Sequence, residues 1–91
     1  MAEVRFSRKA LADLRAIHAY LVQHNPAAAA KVVAAIENSA SLIAEYPELG
    51  HRTDSELDRI HIVPRFGYVI SYRIAGDTIE IRYVFHPRQS R

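Results

Sequence analysis

The chain contains no cysteine, which excludes disulfides, thiolate metal sites and cysteine nucleophiles and fits a reducing compartment. No stretch approaches the roughly 18 consecutive apolar residues that a membrane-spanning helix needs. The opening MAEVRFSRK lacks the apolar run of a signal peptide, so the expectation is a cytoplasmic protein with no membrane contact. There is no internal repeat and no composition shift that marks a second domain. His18 and His24 have no His or carboxylate partner at ligand spacing, so neither metal nor cofactor is expected.

What is present is ordinary for a folded chain: 91 residues, 49% hydrophobic and 24% charged. That reads as one domain over residues 1–91, able to bury roughly 65% of its unfolded surface around one core. The net charge of +2 is unevenly spread. Residues 1–58 carry six basic against eight acidic side chains, and residues 59–91 carry six Arg against Asp77 and Glu80. Ten of the twelve basic residues are Arg, whose rigid donor fork matches phosphate and carboxylate. A polyanionic or acidic partner is one reading of this surplus; a solvated sheet face is the other.

EVRFS alternates polar and apolar residues and reads as a first strand with Val4 and Phe6 facing inward. Ser7 is placed to cap a helix from 8 to about 23, whose stripe is Leu11, Leu14, Ile17 and Leu21, widened by Ala10 and Tyr20. Asn25-Pro26 ends that helix and starts another, because Asn caps well and Pro at the first helical position loses no hydrogen bond. The second helix buries Ala29, Val32, Val33, Ile36, Ala40 and Ile43 and stops at Tyr46, before Pro47. Residues 48–58 are polar, with Gly50 suited to a left-handed position, and read as a loop.

From residue 59 on, three short strands follow, turned by Pro64 to Gly67 and by Ala75-Gly76-Asp77. Strict alternation assigns Ile60, Ile62, Tyr68, Ile70, Tyr72, Ile74, Ile79, Ile81, Tyr83 and Phe85 to one face. The other face receives Arg59, His61, Ser71, Arg73, Glu80, Arg82 and His86, with Val63, Val69 and Val84. The expected fold is α+β in the order β-α-α-β-β-β. A helical hairpin covers the apolar face of a small, mostly antiparallel sheet and leaves the Arg and His face open.

VRFSRKALADLRAIHAYL, NPAAAAKVVAAIENSASLIAEYPELGH, the Arg59 strand, YVISYRI and IEIRYVFHPR, taken in this order, resemble the RelE/ParE superfamily of toxins from bacterial type II toxin–antitoxin modules. The resemblance implies one of two activities: cleavage of mRNA in the ribosomal A site, as for RelE-like toxins, or poisoning of DNA gyrase, as for ParE-like ones. It also implies a cognate antitoxin of ParD-like or similar type, with operator DNA contacted only through that antitoxin. RelE-like nucleases often carry Lys after the second helix, whereas this chain has none beyond Lys31. FS, DL and NPAAA near the start resemble the ParE side. A gyrase-directed toxin is therefore the first expectation, a ribosome-dependent endoribonuclease the second, and a diverged non-toxic homologue the third.

Metal-free RNA cleavage needs a base, an acid and cations around one phosphate. On the nuclease reading His86 is the base or acid, with Arg59, Arg82 and Arg88 about the phosphate. For contact with target or antitoxin the candidates are Arg59, His61, Arg73, Arg82, His86 and Arg88. Arg59 matches a recurring Arg of the superfamily. Each has a plainer reading: Arg59 as a surface bridge to Asp58 or Glu80, worth about 0–1 kcal/mol, and His86 as a cap for a terminal carbonyl. Tyr68, Tyr72 and Tyr83 are read as core and not as stacking platforms.

Overall fold

The structure is a computed structural model that describes residues 2–55 and 57–88. Ser7 caps α1 (Arg8–His24), its hydroxyl oxygen accepting the Ala10 amide at 3.0 Å. Asn25 closes α1 through its own amide and opens α2 (Pro26–Glu45), its side chain accepting the Ala28 amide at 3.3 Å. One residue thus serves two helix ends and forces the antiparallel hairpin.

The hairpin lies on a five-stranded sheet formed by β1 (Glu3–Phe6), β2 (His51–Arg52), β3 (Asp58–Ile62), β4 (Val69–Ala75) and β5 (Thr78–Phe85), in the order β1-β5-β4-β3-β2. β1 runs parallel to β5, and the remaining pairs are antiparallel. The β4–β5 turn needs a positive φ, which Gly76 supplies at 63°. Ile17, Val32, Ile36 and Ile43 from the helices meet Ile70, Tyr72, Ile79 and Ile81 from the sheet. Each such side chain contributes about 1.5–3 kcal/mol by leaving water.

The expected α+β architecture is the observed one, with four local corrections. Leu11 and Tyr20 are exposed and Val33 only half-buried, while Ser39 and Ala44 join the buried stripe; Tyr20 stacks on His24 instead, with ring centroids 4.1 Å apart. Residues 48–58 are not a plain loop: a 3-10 turn (Pro47–Leu49) and β2 occupy its first part. Gly50 is extended at φ −72°, not left-handed. It is glycine because a Cβ there would stand 2.6 Å from the Tyr72 hydroxyl and 2.7 Å from the Ile60 carbonyl oxygen. Finally, α2 is long and apolar enough by composition to cross a membrane, because Val32, Val33, Ile36, Leu42 and Ile43 stand among its alanines. Its Ile and Val side chains nonetheless pack on the sheet. Of the tail, residues 89–91 lie outside the described residues.

Candidate functional site

Strict alternation fails at two strands, and both failures shape the open face. In β3 the register sets Arg59 opposite Tyr72 and His61 opposite Ile70, while Ile60 pairs with Ser71 and Ile62 with Val69. Residues directly opposite each other in an antiparallel pair share a face. Tyr72 and Ile70 belong to the core, so Arg59 and His61 point to the helix side. Ile60 and Ile62 point to the open side, the reverse of the expectation. Polar groups are admissible on that side because the 3-10 turn, not a helix, covers it: the Arg59 guanidinium donates to the carbonyls of Glu48 (3.2 Å) and Gly50 (2.8 Å). His61 is less comfortable. Its Nε2 is buried with no partner among the described residues, and burial, helped by nearby His51, holds its pKa below the usual imidazole value.

In β5 a bulge at Arg82 shifts the register, since Tyr72 pairs with Ile81 but Ser71 pairs with Tyr83. The groups it would leave unpaired are taken up from the helix side. The Ser7 hydroxyl donates to the Arg82 carbonyl at 2.6 Å, and the Asp13 carboxylate accepts the Val84 amide at 2.9 Å. Past the bulge Val84 enters the core, and Tyr83 and Phe85 turn to the open face with ring centroids 5.8 Å apart. The expected core places of Tyr83 and Phe85, and the open-face place of Val84, are corrected by this one extra residue. Val63 likewise sits in the core. Val69, opposite Phe85 and Ile62, keeps its open-face place but is covered there.

The open face is organised around Asp58, at the start of β3. Arg73 on β4 donates to it through Nε at 3.0 Å, and Arg82 on β5 through Nη1 at 3.0 and 3.1 Å. The Arg73 hydrogen bond is the main reason its carboxyl stays below the usual carboxylate range, against burial and with help from Arg82. Glu80, which the register sets opposite Arg73, brings a second carboxylate to this face, so the two guanidinium groups are balanced in charge while their remaining N–H donors stand beside Tyr83, Phe85 and the exposed Ile62. Sequence reading missed Asp58, which it placed at the end of a loop. The signal was its position one residue before Arg59: the strand register sets Asp58, and not Arg59, across from Arg73.

His86 stands at the far end of β5. Its ring meets Tyr68 edge-on at 5.0 Å, and its Nδ1 accepts the Arg88 amide at 3.1 Å. Of the candidates, the fold therefore unites Arg73 with Arg82 and sets His86 beside Arg88. It does not unite Arg59, Arg82 and His86: the first two side chains lie on opposite faces of the sheet. Among the described residues no three His, Asp or Glu converge as a metal set. A separate groove of about 780 Å³ runs between α2 and the β3–β4 turn, lined by Ala27, Ala28, Ala35, Leu42 and Phe66 with Lys31 and Arg65.

Comparison with known proteins agrees with this architecture. A chain of the chromosomal ParDE toxin–antitoxin system from P. aeruginosa superposes with a TM-score of 0.82 at 25% identity, covering 94% of this chain and 96% of that one. Toxin RelE2 of Caulobacter vibrioides is 37% identical over 86 residues, 94% of this chain and 96% of its own length. The family model for the ParE toxin of the type II toxin–antitoxin system parDE matches residues 4–91. With a hairpin on a mostly antiparallel sheet and a family match across nearly the whole chain, this protein belongs to the ParE toxin family of type II toxin–antitoxin systems.

Proposed function

We propose that this toxin acts in the cytoplasm by binding DNA gyrase, performing no chemistry of its own, and that a cognate ParD-like antitoxin silences it. The observation that carries the reading is the separation of Arg59 from Arg82 and His86. RNA cleavage without metal needs acid, base and cations around one phosphate, and here Arg59 is spent on the carbonyls of Glu48 and Gly50 while His86 lies against Tyr68. The Arg73–Asp58–Arg82 cluster with Tyr83 and Phe85 suits a binding surface: aromatic and Arg side chains are the residues that dominate interface energies. The α2 groove, apolar with Lys31 and Arg65 at hand, suits an acidic amphipathic helix of the antitoxin. Purified chain is expected to inhibit gyrase supercoiling, with Arg82→Ala weakening that inhibition. Unaffected gyrase at micromolar toxin, together with mRNA cut on ribosomes, overturns the reading.

The second reading, a ribosome-dependent endoribonuclease, draws on the RelE2 name of one relative and on the arginine and aromatic character of the same open face. Its mark is a set of new 5′ ends within codons after induction, lost on Arg82→Ala. Intact messages remove it.

A further inference from the structure

β1 is the outermost strand on its side of the sheet. The Glu3 and Ser7 amides donate inward, to the Asp77 and Ile81 carbonyls at 3.0 and 2.9 Å. Alternation along an extended strand then turns the amides and carbonyls of Val4 and Phe6 outward, to the open edge. Such an edge is a template for another strand. On its helix side lies a mostly apolar hollow lined by Ala2, Val4, Phe6, Ala40 and Ala44 together with Glu37 and Ser41. On its open side Glu3 and Arg5 are exposed, 3.6 Å apart.

We propose that this edge is filled by β1 of a second copy, antiparallel and related by a two-fold axis through Val4. The charges choose the register. A two-fold pair must be self-complementary, and the outward backbone groups at Val4 and Phe6 restrict where its axis lies. An axis through Arg5 sets two guanidinium groups directly opposite each other, and one through Glu3 sets two carboxylates so; both are destabilising. An axis through Phe6 leaves most of the strand unpaired. Centred on Val4, the two Val4 residues exchange both backbone hydrogen bonds. Glu3 then faces Arg5 of the second copy, and Arg5 faces Glu3, on the open side. On the helix side the Ala2 side chain meets Phe6 of the second copy across the apolar hollow, while the Ala2 amide stays on the Ala44 carbonyl at 3.1 Å, so the backbone bonds of the seam centre on Val4. The two sheets become one continuous sheet. Five residues per strand bury little area, so the dimer is a micromolar one. This inference does not depend on whether gyrase or mRNA is the target.

Analytical ultracentrifugation of the purified full chain across micromolar concentrations tests it, with a reversible monomer–dimer equilibrium as the expected result. Arg5→Glu should weaken the dimer about tenfold, and Glu3→Arg combined with Arg5→Glu should restore it. Both of these variants set the same carboxylate beside Glu80, the β5 neighbour of position 5, which cancels between them; the Glu3–Arg5 pair within one copy is accounted for by comparing the unfolding midpoints of the variants at a dilution where each is monomeric. Glu3→Arg alone, at a position beside Thr78, should weaken association to the same degree without touching Glu80. A chain that stays monomeric into the hundreds of micromolar overturns the proposal, as does a dimer indifferent to either reversal or not recovered by the exchange.

Discussion

The Tyr72 hydroxyl accepts the Gly50 amide at 2.7 Å and, in turn, donates to the Pro47 carbonyl at 2.7 Å, so a core tyrosine stitches the 3-10 turn to the sheet. Burial pushes its phenol above the usual range. Removing only the oxygen, in Tyr72→Phe, leaves the buried Gly50 amide without its acceptor and should cost about 1–3 kcal/mol in urea unfolding. Gly50→Ala should cost at least as much, because its added carbon meets the Ile60 backbone as well as the ring. The two costs should not add, since both act on one contact.

Arg59 belongs to the same stitch and not to the open face. Arg59→Ala is expected to lower stability by about 1.5–3 kcal/mol, the worth of a charged donor on backbone carbonyls. It should lower activity only in proportion to the folded protein lost. Arg73→Ala should lose its share of the Asp58 ion pair and, beyond that, should lose activity even at matched folded fraction. Equal loss of specific activity in both variants, at matched folded fraction, counts against this division.

Asp58 has its pKa depressed in the folded state, so the stability it contributes is present above the unfolded carboxylate value of about 3.9 and disappears as pH falls through the lower folded value. Asp58→Asn should therefore differ from the parent at neutral pH and converge with it under acid. The same variant should release Arg73 and Arg82 from their shared geometry and weaken target inhibition at pH 7. A constant gap between the two proteins from neutral to acid pH refutes this.

His61 works at milder pH. Its folded pKa lies below the usual value, so the unfolded chain takes up the proton first, and stability is lost as pH falls below about 6.5. Nearby His51 opposes the charge further. Thermal unfolding at pH 7.5 and 5.5 should show a drop in the parent that is reduced in His61→Phe, which also removes the buried nitrogen that has no partner among the described residues.

Much of the fold was legible because local chemistry decided it: Ser7 and Asn25-Pro26 fix helix ends by hydrogen bonds within a few residues, and Gly76 fixes a hairpin by its φ. The site was less legible because it depends on pairing between distant segments. Nothing near Arg82 in the chain announces the bulge; it is held by Ser7 and Asp13, far earlier in sequence. Likewise, alternation assigned Arg59 to water, since only the fold brings the Glu48 and Gly50 carbonyls over it. Arg73 and Arg82 kept their expected face because their strands are central and their neighbours Ile74 and Ile81 belong to the core or pack on it.

Among the described residues β5 comes last in sequence, yet it occupies an interior place, wedged between β1 and β4. During translation the ribosome has delivered both helices and the other four strands before this one, so the emerging polypeptide has a gap where its middle rib belongs. A product halted at Asp77 should lack a cooperative melt in calorimetry, since Ile79, Ile81 and Val84 are missing from the interior. The outcome is a built-in delay: the folded form is out of reach until the chain has been made as far as Phe85.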